Sequence, residues 1–339
     1  MSVVFVTGGA GYVGSHAVKL LAETGYDVVV YDNLSVGHAE AVKRIADAAP
    51  GRSITLVEGD ILDAERVRQS LQASRASAVM HFAARLLVGE SVREPYRYYR
   101  TNVAGTLTVL EAMAASEVKS FVFSSTCATF GEPVTLPMDE THPQRPINPY
   151  GESKLAVERA LPHLERASGI KSIALRYFNA AGADPGGTIG EDHEPEEHLI
   201  PLAIRAALGG PALTIFGDDY DTPDGTCVRD YVHVADLAAA HLASLTRLES
   251  GGASGFFNLG NGDGHSVRQV IETVGRVAGR PVPHSVGARR PGDPARLVAS
   301  SGRARAELGW TPRFADLETI VRTAWQWHQG APNGYRHRD

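Results

Sequence analysis

The segment Gly8-Gly9-Ala10-Gly11-Tyr12-Val13-Gly14 constrains this chain more than any other. It follows directly on an apolar, β-branched run at 2–7. It leads into residues 12–23, where Val13, Ala17, Leu20 and Leu21 recur at helical spacing. A strand passing through glycines straight into a helix opens a parallel α/β unit. The spacing Gly8-x-x-Gly11-x-x-Gly14 lets backbone approach a diphosphate, and the helix N-terminus offers free N–H groups and a positive dipole end. A plain strand–helix turn is the competing reading. The agreement of strand, turn and helix favours a dinucleotide loop.

The alternation continues. Apolar runs at 27–31, 53–58, 78–82, 119–124 and 173–177 read as strands, with helical patterns at 101–115 and 152–167. Nearly all-apolar strands between helices imply a parallel sheet covered on both faces. After Asn179 the texture changes. Gly and Pro cluster at 183–188, 218–225 is acidic and loop-like, and shorter helices are expected at 199–208, 234–245, 267–278 and 317–328. The expected fold is α/β: a Rossmann-type doubly wound parallel sheet with a smaller C-terminal α/β substrate lobe. The first domain is placed at 1–178, with 230–261 returning to it and adding a strand at 256–258. The lobe is placed at 179–339.

Composition narrows the function. A chain of 339 residues with 43% hydrophobic and 21% charged residues is an ordinary globular protein. A net charge of −6 argues against a nucleic-acid or anionic-membrane partner. No apolar run approaches the roughly 18–20 residues of a membrane span. The first residues carry no basic leader, so no signal peptide is expected. Two cysteines, Cys127 and Cys227, give no disulfide framework or cysteine zinc site, as in a reducing cytoplasm.

Three features carry chemistry. Asp32 ends the second strand, where a carboxylate accepts from ribose hydroxyls and repels a 2′-phosphate, favouring NAD over NADP. A turn aspartate in Asp32-Asn33 is the alternative. Asp60 sits similarly after the third strand. Tyr150 and Lys154 stand four residues apart, one helical turn, if Tyr150 opens the helix. A phenol with a pKa near ~10 is a poor base at neutral pH. A neighbouring cation stabilises the phenolate, and lowering the pKa by about three units is worth roughly 4 kcal/mol. Ser124-Ser125-Thr126 follows the fifth strand, where a hydroxyl can share a proton with a substrate oxygen. A turn satisfying its own backbone is the alternative.

With these residues placed, the chain resembles the extended short-chain dehydrogenase/reductases and, within them, the NAD-dependent sugar 4-epimerases. The resemblance runs nearly end to end. It includes Glu58-Gly59-Asp60-Ile61, His81-Phe82-Ala83-Ala84 and Leu175-Arg176-Tyr177-Phe178-Asn179. It continues through Asp224-Gly225-Thr226-Cys227-Val228-Arg229-Asp230-Tyr231 to Arg289-Arg290-Pro291-Gly292-Asp293. It implies interconversion of UDP-galactose and UDP-glucose with tightly held NAD and no net redox change. Tyr150 would be the base, Lys154 its tuner, and Thr126 the partner of the sugar 4-hydroxyl. Gly8, Gly11, Tyr12, Val13, Gly14, Asp32, Asn33, Leu34, Asp60 and Ile61 would hold NAD, with Phe82, Ala83, Ala84, Asn102, Phe178 and the Tyr150/Lys154 pair. Asn179, His198, Leu199, Phe216, Arg229, Tyr231, Arg290, Asp293 and Leu297 would hold the UDP-sugar with Thr126.

The chain departs from the family pattern at several positions. Leu86, beside Arg85, stands where the family often has a lysine, so that lysine's cofactor contact is lost or replaced. Cys127 and Phe130 replace the more usual alanine and tyrosine. Leu297 stands where a tyrosine is associated with excluding 2-acetamido sugars, which implies room for UDP-N-acetylhexosamines. A UDP-pentose 4-epimerase is the nearest rival. A 4,6-dehydratase would need an acid pair where Cys127-Ala128 stand. A non-catalytic NAD sensor would not need the tyrosine and lysine. His193-Glu194-Pro195-Glu196-Glu197-His198 matches no metalloprotease spacing and reads as a solvated acidic loop, so no metal is expected. His233 and His241 read as packing or capping residues, and Cys127 as a small apolar filler. The small and apolar residues of 101–115 and 152–167 imply, by family analogy, a homodimer.

Overall fold

The computed structural model describes residues 2–290 and 293–336, so Pro291 and Gly292 of the second arginine motif lie outside the described residues. Six strands, β1 Val3–Thr7, β2 Asp27–Asp32, β3 Ile54–Glu58, β4 Ala78–His81, β5 Ser120–Ser124 and β6 Lys171–Tyr177, share one sheet with the strand Gly255–Leu259. All its ladders are parallel. The order from one edge is Gly255–Leu259, β6, β5, β4, β1, β2, β3. The winding reverses between β1 and β4, and the crevice beyond their carboxyl ends is where such sheets take ligands.

The sheet is covered on both faces, as its strand composition requires. Successive residues of β1 divide between two apolar clusters. Val4 and Val6 pack with Val18, Leu21 and Val30, while Phe5 packs with Val79, Leu110 and Phe121. This is the period-2 alternation of a strand buried on each side.

The helix Tyr12–Glu23 has the bounds read from the sequence. Two further crossover helices, Ala39–Ala48 and Ala64–Ser74, were not marked there. Each buries a narrow stripe, Ala41, Val42 and Ile45 in one and Val67 and Leu71 in the other. Parallel strands need such connections. The helix expected at 101–115 is divided. Tyr99–Gly105 is π-helical and α geometry starts at Thr106. A π segment of this kind is common at functional sites and is invisible to an α-period search.

The smaller lobe packs Leu199–Ala207, Val267–Ala278 and Leu317–Gly330 around Ile204, Val270 and Ile320. Short strands form small sheets beside the main one: Val228–Arg229 pairs with His265–Ser266 and Arg296–Leu297, and Asn179–Ala181 pairs with Tyr231–His233. Among the described residues no helix is long and apolar enough to cross a membrane.

One buried ion pair braces the sheet behind the crevice. Arg176 of β6 donates from Nε at 2.9 Å and Nη2 at 2.6 Å to Glu158 of the helix Pro149–Ser168. Ser125 Oγ and Gln144 Nε2 donate to the same carboxylate at 2.5 and 2.9 Å. Removing one member of such a pair strands a buried charge. Glu158→Ala should therefore cost about 3–5 kcal/mol of unfolding free energy, read from urea denaturation. An unchanged midpoint would show that the pair contributes nothing.

Candidate active site

Gly8 takes φ +71°, which disfavours any side chain, and a Cβ there would lie 2.7 Å from Ala83 Cα. A Cβ on Gly14 would overlap Gly8 O. These two glycines are thus explained by the chain itself. Gly11 is not, since a Cβ there would meet only Gly8 O at 3.4 Å. What Gly11 keeps clear is the approach to the N-terminus of Tyr12–Glu23. That terminus has no side-chain cap and no acidic residue in its first turn. Its free N–H groups fit a diphosphate, so the residues present suit the cofactor the sequence implies. The Tyr12 hydroxyl itself donates to Gly182 O at 2.6 Å and is not free for a ligand.

Asp32 serves the turn, one of the two readings weighed for it. Its Oδ2 accepts from Ala10 N at 3.0 Å and its Oδ1 from Leu34 N at 2.9 Å, so it shapes the turn. Burial holds its carboxyl above the usual range, opposed by those two N–H groups. The carboxylate stays at the β2 carboxyl end with lone pairs to spare. Asn33 Nδ2 donates to Asp60 Oδ2 at 2.9 Å, joining the loops that follow β2 and β3, and Ile61 packs beneath. Across the crevice, Phe82 stacks on His241 with ring centroids 4.6 Å apart, and Ala83 and Ala84 follow it. Asn102 is buried and wholly engaged. It accepts from Arg85 N at 2.8 Å and donates to Arg85 O and Ser153 Oγ, each at 3.0 Å. Its role is to hold the loop after β4. The Arg85 guanidinium pairs with Glu90 at 3.3 Å and so is not placed as a substitute for the lysine absent at Leu86.

The catalytic candidates converge where β5 ends. Asn148 caps the helix Pro149–Ser168 by accepting from Gly151 N at 2.9 Å, and Pro149 sets its first turn. Tyr150 therefore stands in the first turn with Lys154 one turn on. The Thr126 hydroxyl lies against the Tyr150 phenol and lowers its pKa, but burial dominates and pushes that pKa up to about 12. The expected fall in the tyrosine pKa is therefore not produced by the chain's own charges. Lys154, buried, has its pKa brought down from 10.5 to about 7 by burial, with Glu158 opposing. It donates to Ser124 O at 2.8 Å and sits 4.8 Å from the Phe123 ring centre. A half-neutral lysine gives a phenolate less support than a full cation.

The three hydroxyls divide their work. Ser124 Oγ meets Tyr177 Oη at 2.6 Å, Ser125 serves Glu158, and only Thr126 faces Tyr150. Tyr177 and Glu158 are absent from the site list drawn from sequence. Tyr177 lies within the Arg-Tyr-Phe-Asn run, and one strand's periodicity does not say which face meets a neighbouring hydroxyl.

The lobe supplies the anionic-ligand side. Arg229 donates to Asp293 and, at 2.7 Å, to Val228 O. The Arg290 guanidinium stacks 4.0 Å from the exposed Phe216 ring. A cleft of about 650 Å³ is lined by Arg289, Arg290, Asp293, Asp219, Tyr220 and Glu132, among others. The rest of the Asp224–Tyr231 motif is support. Asp224 holds Thr226 and Ser266. Asp230, fully buried, accepts N–H groups from Asn261, Gly262 and Ala299. Asn179 donates to Asp230 O at 3.1 Å, and Tyr231 is buried. Leu297, Cys127 and Phe130, the three departures around the sugar position, pack in one cluster with Met138, Ala299 and Phe178. Burial drives the Cys127 thiol well above its ordinary range, as suits a filler.

The loop ahead of Leu199 corrects the sequence reading. Glu191 and Glu196 are buried, not solvated, and His193 and His198 turn inward onto them. His198 Nδ1 contacts Glu191 Oε1, and Leu199 opens its helix. The acidic composition that suggests solvation is neutralised by the histidines. His233 caps the helix Val234–Glu249 by accepting from Ala235 N, and His241 packs between Phe82 and Tyr177.

With this geometry in place, comparisons with known proteins agree in one direction. Residues 4–260 match the NAD dependent epimerase/dehydratase family. The chain is 51% identical over 333 residues to a UDP-glucose 4-epimerase of Halalkalibacterium halodurans, covering 98% of this chain and 97% of that one. It superposes with TM-score 0.91 and 48% identity on the UDP-glucose 4-epimerase of Brucella ovis solved with NAD, covering 96% of this chain and 98% of that one. The enzyme from Bifidobacterium longum, solved with NAD+ and UDP, gives TM-score 0.92 at 37% identity, covering 98% and 100%.

Lys154 yields a pH test. Its pKa is about 7 in the fold against 10.5 unfolded, so below pH 7 the fold bears a buried ammonium and is weakened. Stability contributed through this group rises with pH between those values. Lys154→Met should gain stability relative to wild type at pH 6 and lose about 2–3 kcal/mol of that advantage by pH 9, by urea denaturation of nucleotide-free protein. The same difference at both pH values would clear Lys154 of the effect.

Proposed function

The chain belongs to the NAD dependent epimerase/dehydratase family, and on that footing we propose that it interconverts UDP-galactose and UDP-glucose at the crevice between β1 and β4. The observation that supports this best is the meeting of Thr126, Tyr150 and Lys154 beside that crevice, opposite the arginines of the lobe. The glycine loop, Asp32, Asn33, Asp60 and the residues after β4 hold NAD. When bound, it supplies reversible two-electron oxidation at sugar C4 and a positive charge beside the phenol. Tyr150 takes the proton of the 4-hydroxyl and gives it back, and Thr126 holds the 4-oxygen during both transfers. Lys154 orients the nicotinamide ribose and stiffens the Ser124–Thr126 turn. Arg229 and Arg290 grip the diphosphate through several donors, and Phe216 offers a flat face to the uracil. Asn179, Leu199, Tyr231 and Asp293 complete the nucleotide pocket. The 4-keto sugar turns before the proton and electron pair return, which inverts C4 with no net redox change.

Leu297 and the cluster beneath it leave more room than a tyrosine beside the sugar, so UDP-N-acetylhexosamines are accepted as secondary substrates. A substrate panel without added NAD tests both ideas. UDP-galactose should yield UDP-glucose, Tyr150→Phe should lose about 10²–10⁴-fold in rate, and Leu297→Tyr should lose activity on UDP-N-acetylglucosamine selectively. A 4-keto-6-deoxy product would instead indicate a dehydratase, and a faster reaction on UDP-pentoses would indicate that class. Wild-type rates in Tyr150→Phe would exclude the mechanism.

We also place the protein in a reducing cytoplasm, where its two buried free cysteines stay reduced. We infer that it works as a homodimer. Val88, Val92, Tyr96 and Tyr99 are exposed on the short helices packed beside Pro149–Ser168, and Tyr96 is 86% exposed. Apolar groups so placed favour a second copy. Light scattering should give about twice the 36.2 kDa of one chain, and Val92→Glu should halve that mass. A wild-type mass of one chain would refute the dimer.

A further inference from the structure

We propose that Glu191, His193, Glu196 and His198 form a site for one divalent transition cation of the zinc type. One ligand atom from each lies within 4.8 Å of all the others. The site lies where the loop ahead of Leu199 meets Tyr12 and the C-terminal helix. Trp327 Nε1 of the C-terminal helix donates to Glu191 O at 2.9 Å, the Tyr12 and His193 rings meet edge to face at 6.1 Å, and His198 is the N-cap of Leu199–Ala207.

Hydrogen bonding does not exhaust the carboxylates. Glu196 Oε1 accepts from Glu197 N and His198 N, each at 2.9 Å. Glu196 Oε2 has no partner among the described residues, and the side chain has 0% exposure. His193 Nδ1 lies 3.2 Å from Glu191 Oε1 and 3.9 Å from Glu196 Oε1. His198 Nδ1 touches Glu191 Oε1 and lies 3.8 Å from Glu196 Oε1. Both imidazoles therefore turn the same nitrogen toward the same two carboxylates. His328 is buried beside this pair with its Nε2 unpartnered among the described residues, and Arg205 and Asp192 add to the charged surroundings.

Two protonated histidines against two carboxylates would balance the charge but leave Glu196 Oε2 without a donor. A cation among the four ligand atoms would take the place of the two imidazole protons. Two imidazole nitrogens and two carboxylate oxygens form a four-coordinate set that suits zinc, whereas magnesium and calcium favour all-oxygen shells. Ligand bonds of about 2.0–2.2 Å require ligand atoms roughly 3.3–3.6 Å apart, which the present spacings bracket. Binding releases the imidazole protons to solvent, so affinity falls as pH falls. A bound ion would pin Tyr12 of the cofactor half to the helix carrying Leu199.

The test uses full-length, chelator-treated protein titrated with Zn2+ alone near neutral pH, with bound metal counted by elemental analysis. The expected result is one Zn2+ per chain, a rise in melting temperature with Zn2+, and a tetrahedral visible spectrum when Co2+ replaces it. Glu196→Gln keeps the acceptor for the two N–H groups while removing the charge. It should weaken Zn2+ binding by roughly 100-fold or more, and His193→Gln, which leaves both carboxylates in place, should do the same. No bound metal in the wild type would overturn the proposal. So would unchanged affinity in whichever variant folds, or a thiolate charge-transfer band placing cobalt on Cys127 or Cys227.

Discussion

The cofactor half depends on β1 and β4 lying side by side while their connections leave in opposite directions. That divergence opens a crevice, and it works only if two backbones pass at its mouth with nothing between them. Gly8 meets Ala83 there, and Gly14 closes the first helix onto Gly8. Beneath the crevice a buried polar staple holds the pieces. Thr7 Oγ1 meets His81 Nδ1 at 2.7 Å, and His81 Nε2 meets Thr106 Oγ1 at 2.9 Å, joining β1, β4 and the helix Thr106–Ala115. Burial drives the His81 pKa down to about 3, so it serves as a neutral bridge and not as a charge.

The chemistry set above this frame is governed by burial more than by neighbouring charge. Tyr150 is pushed up and Lys154 is pushed down by the same loss of water. A phenol so placed is close to neutral, and the amine about half charged near pH 7, until a charged ligand arrives. The pair thus favours proton exchange in a filled site over an empty one, since a positive charge beside the phenol acts through a dry medium. The net charge of −6 has little bearing on this. The groups suited to anionic ligands, an uncapped helix terminus on one side and Arg229 and Arg290 on the other, would act locally.

The lobe is not an independent half. Asp230 of the arginine motif is bonded to the turn after Gly255–Leu259, the seventh strand of the main sheet, and Asn179 after β6 pairs with Asp230 O. The chain crosses between the two parts several times. The residues that place Arg229 are therefore held by the sheet that also places Tyr150.

The sequence alone determined the elements whose cause is local. The glycine loop, the apolar strands and the bounds of Tyr12–Glu23 all follow from spacing and propensity within a few residues, whereas the helix read at 152–167 starts earlier, at Pro149, and so takes in Tyr150. The tertiary structure decided what depends on distant partners. It set Asn102 to holding a loop, engaged the hydroxyl of Tyr12 with Gly182, and brought Cys127, Phe130 and Leu297 into one cluster. It also buried Glu191 and Glu196 against two histidines in a loop whose composition suggested water. Narrow stripes such as Val67 and Leu71, and the π turn at Asn102, escaped the periodic reading because their stability comes from what they pack against. Local order is written in short-range pattern, but the burial that sets charge state and role is shared among segments far apart in the chain.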